Sequence, residues 1–213
     1  MDGTGKTTLA RSLVEALQRR GISAVYVYGR VHPLGSRLVM AAGRKVFLRH
    51  NDPWQDYPGY AEAKRKPAAN RLLRTVYVTA ILADFCSQLL LKLARYAGRP
   101  RIVVVDRYVY DTVINDLAVH LSLSRQDVDE GIERLFQVLP RPAVTFFIDV
   151  DEATAFSRKD DVPDIEYLRE RRPFYQALGG RPEVVTMDGE GSQQELAAEA
   201  LTYLLRAGYV TVA

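Results

Sequence analysis

The sequence predicts an α/β layer fold built on a mostly parallel, doubly wound sheet, with helices on both faces. Three observations carry this. A glycine-rich turn at residues 2–5 opens a helix. The unbroken apolar run at 102–105 and the mostly apolar run at 144–150 read as buried parallel strands, because a strand covered on both faces shows little polar alternation. Between these runs, apolar residues recur at helical spacing.

Taken in order, Leu9, Leu13, Val14 and Leu17 predict a helix over 7–20, with Gly21 as its cap. Residues 22–28 are β-prone and end before Gly29 and Arg30. The stretch 32–67 is punctuated by glycines and prolines, and reads as one short helix and an irregular segment over a pocket. Residues 70–96 form the longest helical stretch. Their apolar side chains nearly surround the helix, which predicts deep burial or a subunit contact. The run 102–105 is expected to be a central strand, ending in Asp106. A helix over 125–139 is entered through Ser124, with Asp127 and Asp129 in its first turn where acidic groups are favoured. Residues 153–178 are mostly helical but interrupted at 160–164. A last strand (183–187) and a last helix (193–206) close a single domain spanning 1–213.

Composition narrows the function classes. With 47% hydrophobic residues, the 213-residue chain can bury a proper core. A formal charge of +3 does not announce a nucleic-acid binder. The first residues are polar rather than a signal sequence, and no uncharged apolar run reaches about 18 residues. A cytoplasmic location without membrane or nucleic-acid partners is therefore expected. Cys86 lies in an apolar stretch and reads as a small buried hydrophobe, and His32, His50 and His120 are too scattered to suggest a zinc site. Arginine outnumbers lysine, which suits phosphate handling through forked hydrogen bonds, although a GC-rich genome gives the same bias.

The chemistry starts at Asp2-Gly3-Thr4-Gly5-Lys6-Thr7-Thr8. Gly5-Lys6-Thr7 supplies the last three positions of the phosphate-binding pattern G-x-x-x-x-G-K-[ST]. Glycines let backbone N–H groups turn inward onto phosphate oxygens, and the helix start adds its positive end. Lys6 would then reach the β- and γ-phosphates of ATP, while the Thr7 hydroxyl would complete a Mg²⁺ shell. The first glycine of the pattern and the strand leading into it would precede Met1. The expectation is that the chain as written starts too far downstream.

Asp106 and Arg107 end a predicted strand, where parallel sheets form their ligand crevice. Asp106 is a candidate for holding Mg²⁺ or accepting a proton. Arg107 is a candidate for binding the acceptor or the transferring phosphoryl group, with Asp111 one turn on to orient it. Arg158 is the best candidate for a basic lid over 157–172 that closes on ATP, with Lys159, Arg169, Arg171 and Arg172 behind it. Asp160, Asp161 and Asp164 would lock such a lid open.

With these motifs in hand, the chain resembles the thymidylate kinase-like family of P-loop nucleotide kinases. The segment from Asp2 to Thr8 resembles that family's phosphate loop, Val103 to Tyr108 its Asp-Arg-Tyr motif, and Phe147 to Arg158 its A-x-x-R approach to the lid. The resemblance implies a three-layer P-loop kinase fold, here without its first strand. It also implies transfer of the ATP γ-phosphate with Mg²⁺ to dTMP. By the same likeness, Asp2 falls near the acceptor's sugar, Lys6 and Thr7 on ATP and Mg²⁺, Asp106 and Arg107 in the transfer site, and Arg158 in the lid. The 70–96 helix corresponds to one that carries acceptor and homodimer contacts. Two departures stand out. The family's Arg-Glu-Pro-Gly-Gly segment is reduced to Arg30 within Gly29–Gly35, and Phe85 occupies the place of an arginine that contacts the acceptor phosphate. They leave open another nucleotide as acceptor, an acceptor without phosphate (a nucleoside or a sugar), or a nucleotide-binding regulatory protein that turns over little. Trp54, Tyr57, Tyr60 and Lys64 lie where an acceptor would be wrapped.

Overall fold

Helix α1 (Lys6–Arg19) buries Leu9, Ala10, Leu13, Val14, Ala16 and Leu17 along one stripe, and its end is marked by the left-handed Gly21. The computed structural model describes residues 1–31, 34–49, 51–99 and 101–210. His32, Pro33, His50 and Pro100 lie outside the described residues. Strand β1 (Ala24–Tyr28) follows, then helices α2 (Arg37–Phe47), α3 (Tyr57–Arg65) and α4 (Arg71–Ala94). Strand β2 (Ile102–Asp106) leads into the short α5 (Val109–Thr112) and a π-helical segment, Val113–Ala118. Helix α6 (Arg125–Phe136), strand β3 (Thr145–Asp149), helices α7 (Glu152–Ser157), α8 (Ile165–Arg169) and α9 (Arg172–Ala177), strand β4 (Val184–Asp188) and helix α10 (Gln193–Arg206) complete the order.

The strands form two parallel pairs, β1 with β2 and β3 with β4, rather than one sheet. Pairing runs Ala24 to Ile102 through Tyr28 to Asp106, and Thr145 to Val184 through Asp149 to Asp188. Both pairs therefore deliver a carboxylate at their C-terminal ends, the side on which parallel sheets bind ligands. A single core, including side chains of α1, α6, α10 and both strand pairs, joins them.

Several expectations are corrected. Strand β2 has one hydrogen-bonded neighbour, and its apolar residues are half-buried, so among the described residues it is not central. The stretch before 67 holds two helices, α2 and α3, the second capped by the Asp56 side chain on Gly59 N. Helix α4 is not deeply buried: only Asp84, Phe85 and Leu89 are, while Leu72, Leu73, Val76, Leu90 and Leu91 are exposed. Counted by length and composition, α4 is apolar enough to cross a membrane. Its Asp84, however, ties it to the loop before α2, accepting from Leu34 N (2.8 Å), Ser36 N (3.1 Å) and Ser36 Oγ (2.7 Å). Phe85 is a core residue, 1% exposed. Cys86 is half-buried rather than buried, and burial raises its thiol above the ordinary value.

Candidate active site

The phosphate loop is shaped by two glycines. Gly3 (φ +80°) and Gly5 (φ +87°) take the left-handed conformation that side-chain-bearing residues avoid. A Cβ on Gly3 would lie 2.1 Å from the Ala155 carbonyl oxygen, so only glycine lets the loop rest against α7. Buried Thr4 donates to the Met1 carbonyl (3.2 Å), and Lys6 Nζ donates to the same oxygen. Burial lowers the Lys6 ammonium from its ordinary value, opposed by Asp111 and Asp2. Thr8 faces solvent and stands apart from this cluster.

Ninety-nine residues separate Thr7 from Asp106, yet the Thr7 hydroxyl donates to Asp106 Oδ2 at 2.6 Å. Tyr26, on the neighbouring strand, donates to the same oxygen at 2.9 Å. Asp106 is 2% exposed, and its other oxygen, Oδ1, is buried without a partner. An orphaned carboxylate oxygen beside a threonine hydroxyl fits a Mg²⁺ ion, which takes one or two protein oxygens and completes its shell with water and phosphates.

Next in the chain, Arg107 has φ +64°, unusual for a residue with a side chain. Such strain persists only where contacts over-determine it. Here they do. Nη2 binds Asp2 Oδ1 at 2.6 Å and Nη1 binds Asp111 Oδ2 at 2.9 Å, with all three side chains 9% exposed. Burial alone would raise both carboxyls, but Lys6 and Arg107 hold Asp2 and Asp111 below the ordinary carboxylate range. Tyr175 completes the arrangement by donating to Asp111 Oδ1 at 2.7 Å. Asp111 and Arg107 are thus in direct contact one helical turn apart.

The lid candidates divide. Arg158 caps α7 and donates to the Gly189 carbonyl at 3.0 Å, not to any residue of the phosphate loop. Arg172 is held by Glu152 and Asp149, and Arg169 by Glu166. Arg171 is not on a solvated face: it is 1% exposed, lies 3.6 Å from the centroid of the Tyr167 ring, and donates to Tyr57 OH. Of the acidic residues, Asp161 pairs with Lys159, whereas Asp164 caps α8 by accepting from Glu166 N. Trp54 is exposed, while Tyr57 is buried and donates to Glu170 at 2.7 Å.

A further group lies alongside. Asp116, on the π-helical segment, interacts with Arg30, Asp111, Lys64 and Arg171. Lys64 donates to His120 Nε2 at 2.8 Å, and Tyr77 OH to the Asp116 carbonyl at 3.4 Å. Burial raises the Asp116 carboxyl to about 6 and lowers the Lys64 ammonium to about 8. Sequence reasoning missed Asp116. Only its place ten residues after Asp106, on the helical segment that follows Asp111, could have drawn notice.

Glycine loop, helix start and strand-end carboxylate thus lie together in an α/β protein. The chain is 25% identical over 202 residues to a probable thymidylate kinase of Sulfurisphaera tokodaii, with 92% of this chain and 87% of that protein covered. It is likewise 25% identical over 214 residues to a thymidylate kinase of Leptospira borgpetersenii, covering 97% and 90%. No family model matches the chain. The two likenesses support a thymidylate kinase-like family, and with it a P-loop kinase fold.

Proposed function

We propose that the protein is an ATP-dependent kinase that phosphorylates a nucleoside monophosphate in a thymidylate kinase-like reaction. The observation that carries this is the Thr7–Asp106 hydrogen bond, which sets the phosphate loop against the strand-end Asp-Arg pair. An acceptor phosphate oxygen attacks the γ-phosphorus, the bond to the β–γ bridging oxygen breaks, and ADP leaves with the electron pair. No covalent enzyme intermediate is needed. Catalysis then rests on positioning and on charge placed where it develops. Loop N–H groups and Lys6 bind the ATP phosphates. Thr7 and Asp106 hold Mg²⁺, which when bound neutralises phosphate charge. Arg107 orients the acceptor, and Arg158 reaches the γ-phosphate once the 157–172 segment swings in.

One observation favours a second reading. Both terminal nitrogens of Arg107 are committed to carboxylates, so an acceptor phosphate must compete with Asp2 and Asp111. An uncharged nucleoside or sugar would not. An ADP-release assay with Mg-ATP and a panel of nucleoside monophosphates, nucleosides and sugars separates the two. Turnover with monophosphates supports the first reading, and turnover only with uncharged acceptors replaces it. Lys6→Ala should abolish ADP release, and retained turnover would assign the activity elsewhere.

We also propose that a second copy covers the exposed Leu72, Leu73, Val76, Leu90 and Leu91 of α4, making a homodimer. These residues fall on one side of the helix near its two ends, and exposed apolar surface of this kind calls for a partner.

A further inference from the structure

The Asp106 carboxylate is bonded on one side only. An ionised carboxylate offers about four lone-pair positions, two on each oxygen. Oδ2 uses both of its own, accepting from the Thr7 hydroxyl at 2.6 Å and from the Tyr26 hydroxyl at 2.9 Å. Oδ1 is buried and has no partner among the described residues. Two donors that merely satisfied a buried carboxylate would be shared between its oxygens, since buried polar atoms in folded proteins are nearly all partnered. Here both donors fall on one oxygen and the other is left bare. Thr7 has a reason to be there, as a metal-holding hydroxyl. Tyr26 has none in the reading given so far.

Two elements fix the phenol in place. Asp106 registers against Tyr28, so Tyr26 is its diagonal neighbour on the same face of the β1–β2 pair. Tyr26 therefore reaches the carboxylate along the sheet, while Thr7 reaches it from α1. Arg11, one turn beyond Thr7 on α1, has its guanidinium 5.3 Å from the centroid of the Tyr26 ring. A guanidinium at that range is attracted to the ring face, which ties the ring to the helix that carries Thr7. With the phenol in place, Oδ1 is the open oxygen of Asp106. A cation can then take this carboxylate through one oxygen and not through two.

Binding through one oxygen suits some cations better than others. Mg²⁺ is small, keeps several waters and uses one or two carboxylates. Ca²⁺ gathers about six to eight oxygens, and a carboxylate can supply two of them at once. We propose that Tyr26 sets the metal selectivity of the site: it closes Oδ2 of Asp106, denies Ca²⁺ a two-oxygen grip, and so favours Mg²⁺. Tyr26 is a positioning residue in this role, acting through Asp106. The inference rests on the reading that Thr7 and Asp106 hold the cation.

The test has two arms, both comparing wild type with Tyr26→Phe, which removes one hydroxyl and keeps the ring beside Arg11. In the first, Mn²⁺ binding to the whole protein without nucleotide is followed by the electron paramagnetic resonance of the free ion, with Mg²⁺ and Ca²⁺ as competitors. Wild type should hold Mg²⁺ more tightly than Ca²⁺. In Tyr26→Phe the ratio of the Ca²⁺ Kd to the Mg²⁺ Kd should fall about 10-fold, the order of one hydrogen bond to a charged group. Losing a donor also leaves the carboxylate more negative, which tightens both ions alike, so the ratio rather than either Kd reads the mode of binding. Infrared difference spectra, metal-bound minus metal-free, make the same reading on wild type alone: the carboxylate stretches should show the wide splitting of one-oxygen binding. The second arm measures ADP release with Mg²⁺ or Ca²⁺ as the sole divalent cation. A wild type that binds no Mn²⁺, prefers Ca²⁺ or shows the narrow splitting of two-oxygen binding overturns the proposal. So does a folded Tyr26→Phe protein whose ratio stays within about twofold of wild type. A shifted ratio with no ADP release from any acceptor would instead refute the kinase reading and leave the Tyr26 assignment standing.

Discussion

Asp116→Asn makes a prediction about stability. The carboxyl is raised from 3.8 to about 6, mainly by burial. Between those values the folded state binds more protons than the unfolded state, so stability falls as pH rises through the window. A tenfold change in a group's acidity on folding corresponds to about 1.36 kcal/mol. The charged carboxylate thus destabilises the fold by about 3 kcal/mol near neutral pH. Asparagine removes that charge with little change in shape, but brings a buried amide that needs partners of its own, a cost of about 1 kcal/mol or more; the attraction of Arg30, Lys64 and Arg171 is already contained in the net shift. The expected net gain is about 1–2 kcal/mol at a pH of about 7.5. Urea unfolding of both proteins near pH ~7.5 and pH ~4 reads it directly, and the gain should largely vanish at the lower pH, where Asp116 is neutral in the fold. A variant less stable at the higher pH, or a difference that ignores pH, would falsify the reasoning. Either result would mean that the surrounding cations stabilise Asp116 more than burial costs it.

Two further expectations concern other parts of the molecule. Arg107→Met should destabilise the fold by about 3–5 kcal/mol in urea unfolding, because it leaves Asp2 and Asp111 buried beside each other with only Lys6 to balance them; adding Asp111→Asn should recover part of this loss, and no recovery would deny the coupling. Leu91→Glu, on the exposed face of α4, should shift the protein from dimer to monomer in light scattering at equal concentration, with its unfolding midpoint little changed.

Where the chain carries local signals, the sequence was readable. Helix α10 follows Ser192 and runs from Gln193 to Arg206 as periodicity predicts, and Ser124 forms a capping box with Asp127 at the start of α6. Gly3, Gly5 and Lys6 lie together because a loop of consecutive residues needs no long-range information. The join from Thr7 to Asp106 was expected from chemistry, since both suit one ion. Harder was the run after Arg107. Val109, Val113 and Ile114 are all but fully buried, so no polar face marks a period, and the change from α to π bonding breaks what period there is. The fate of α4 was also ambiguous: an all-apolar helix looks the same whether its cover comes from its own chain or from another. The tie that Asp84 makes was not legible for a simpler reason. Its partners are Leu34 and Ser36, about fifty residues away, and nothing in the intervening sequence marks the pairing.

The two strand pairs have a consequence for how the protein behaves in company. Each pair is a ribbon whose long sides carry backbone N–H and C=O groups unanswered by another strand among the described residues. Such a side is a template. Water can satisfy it, but so can any extended segment of suitable register, from the same polypeptide or from a neighbour in a crowded solution. Lateral growth of the β1–β2 and β3–β4 ribbons is therefore a route to self-assembly distinct from the α4 face. It would respond to concentration and to added β-prone peptides, whereas association through α4 would respond to changes at its leucines.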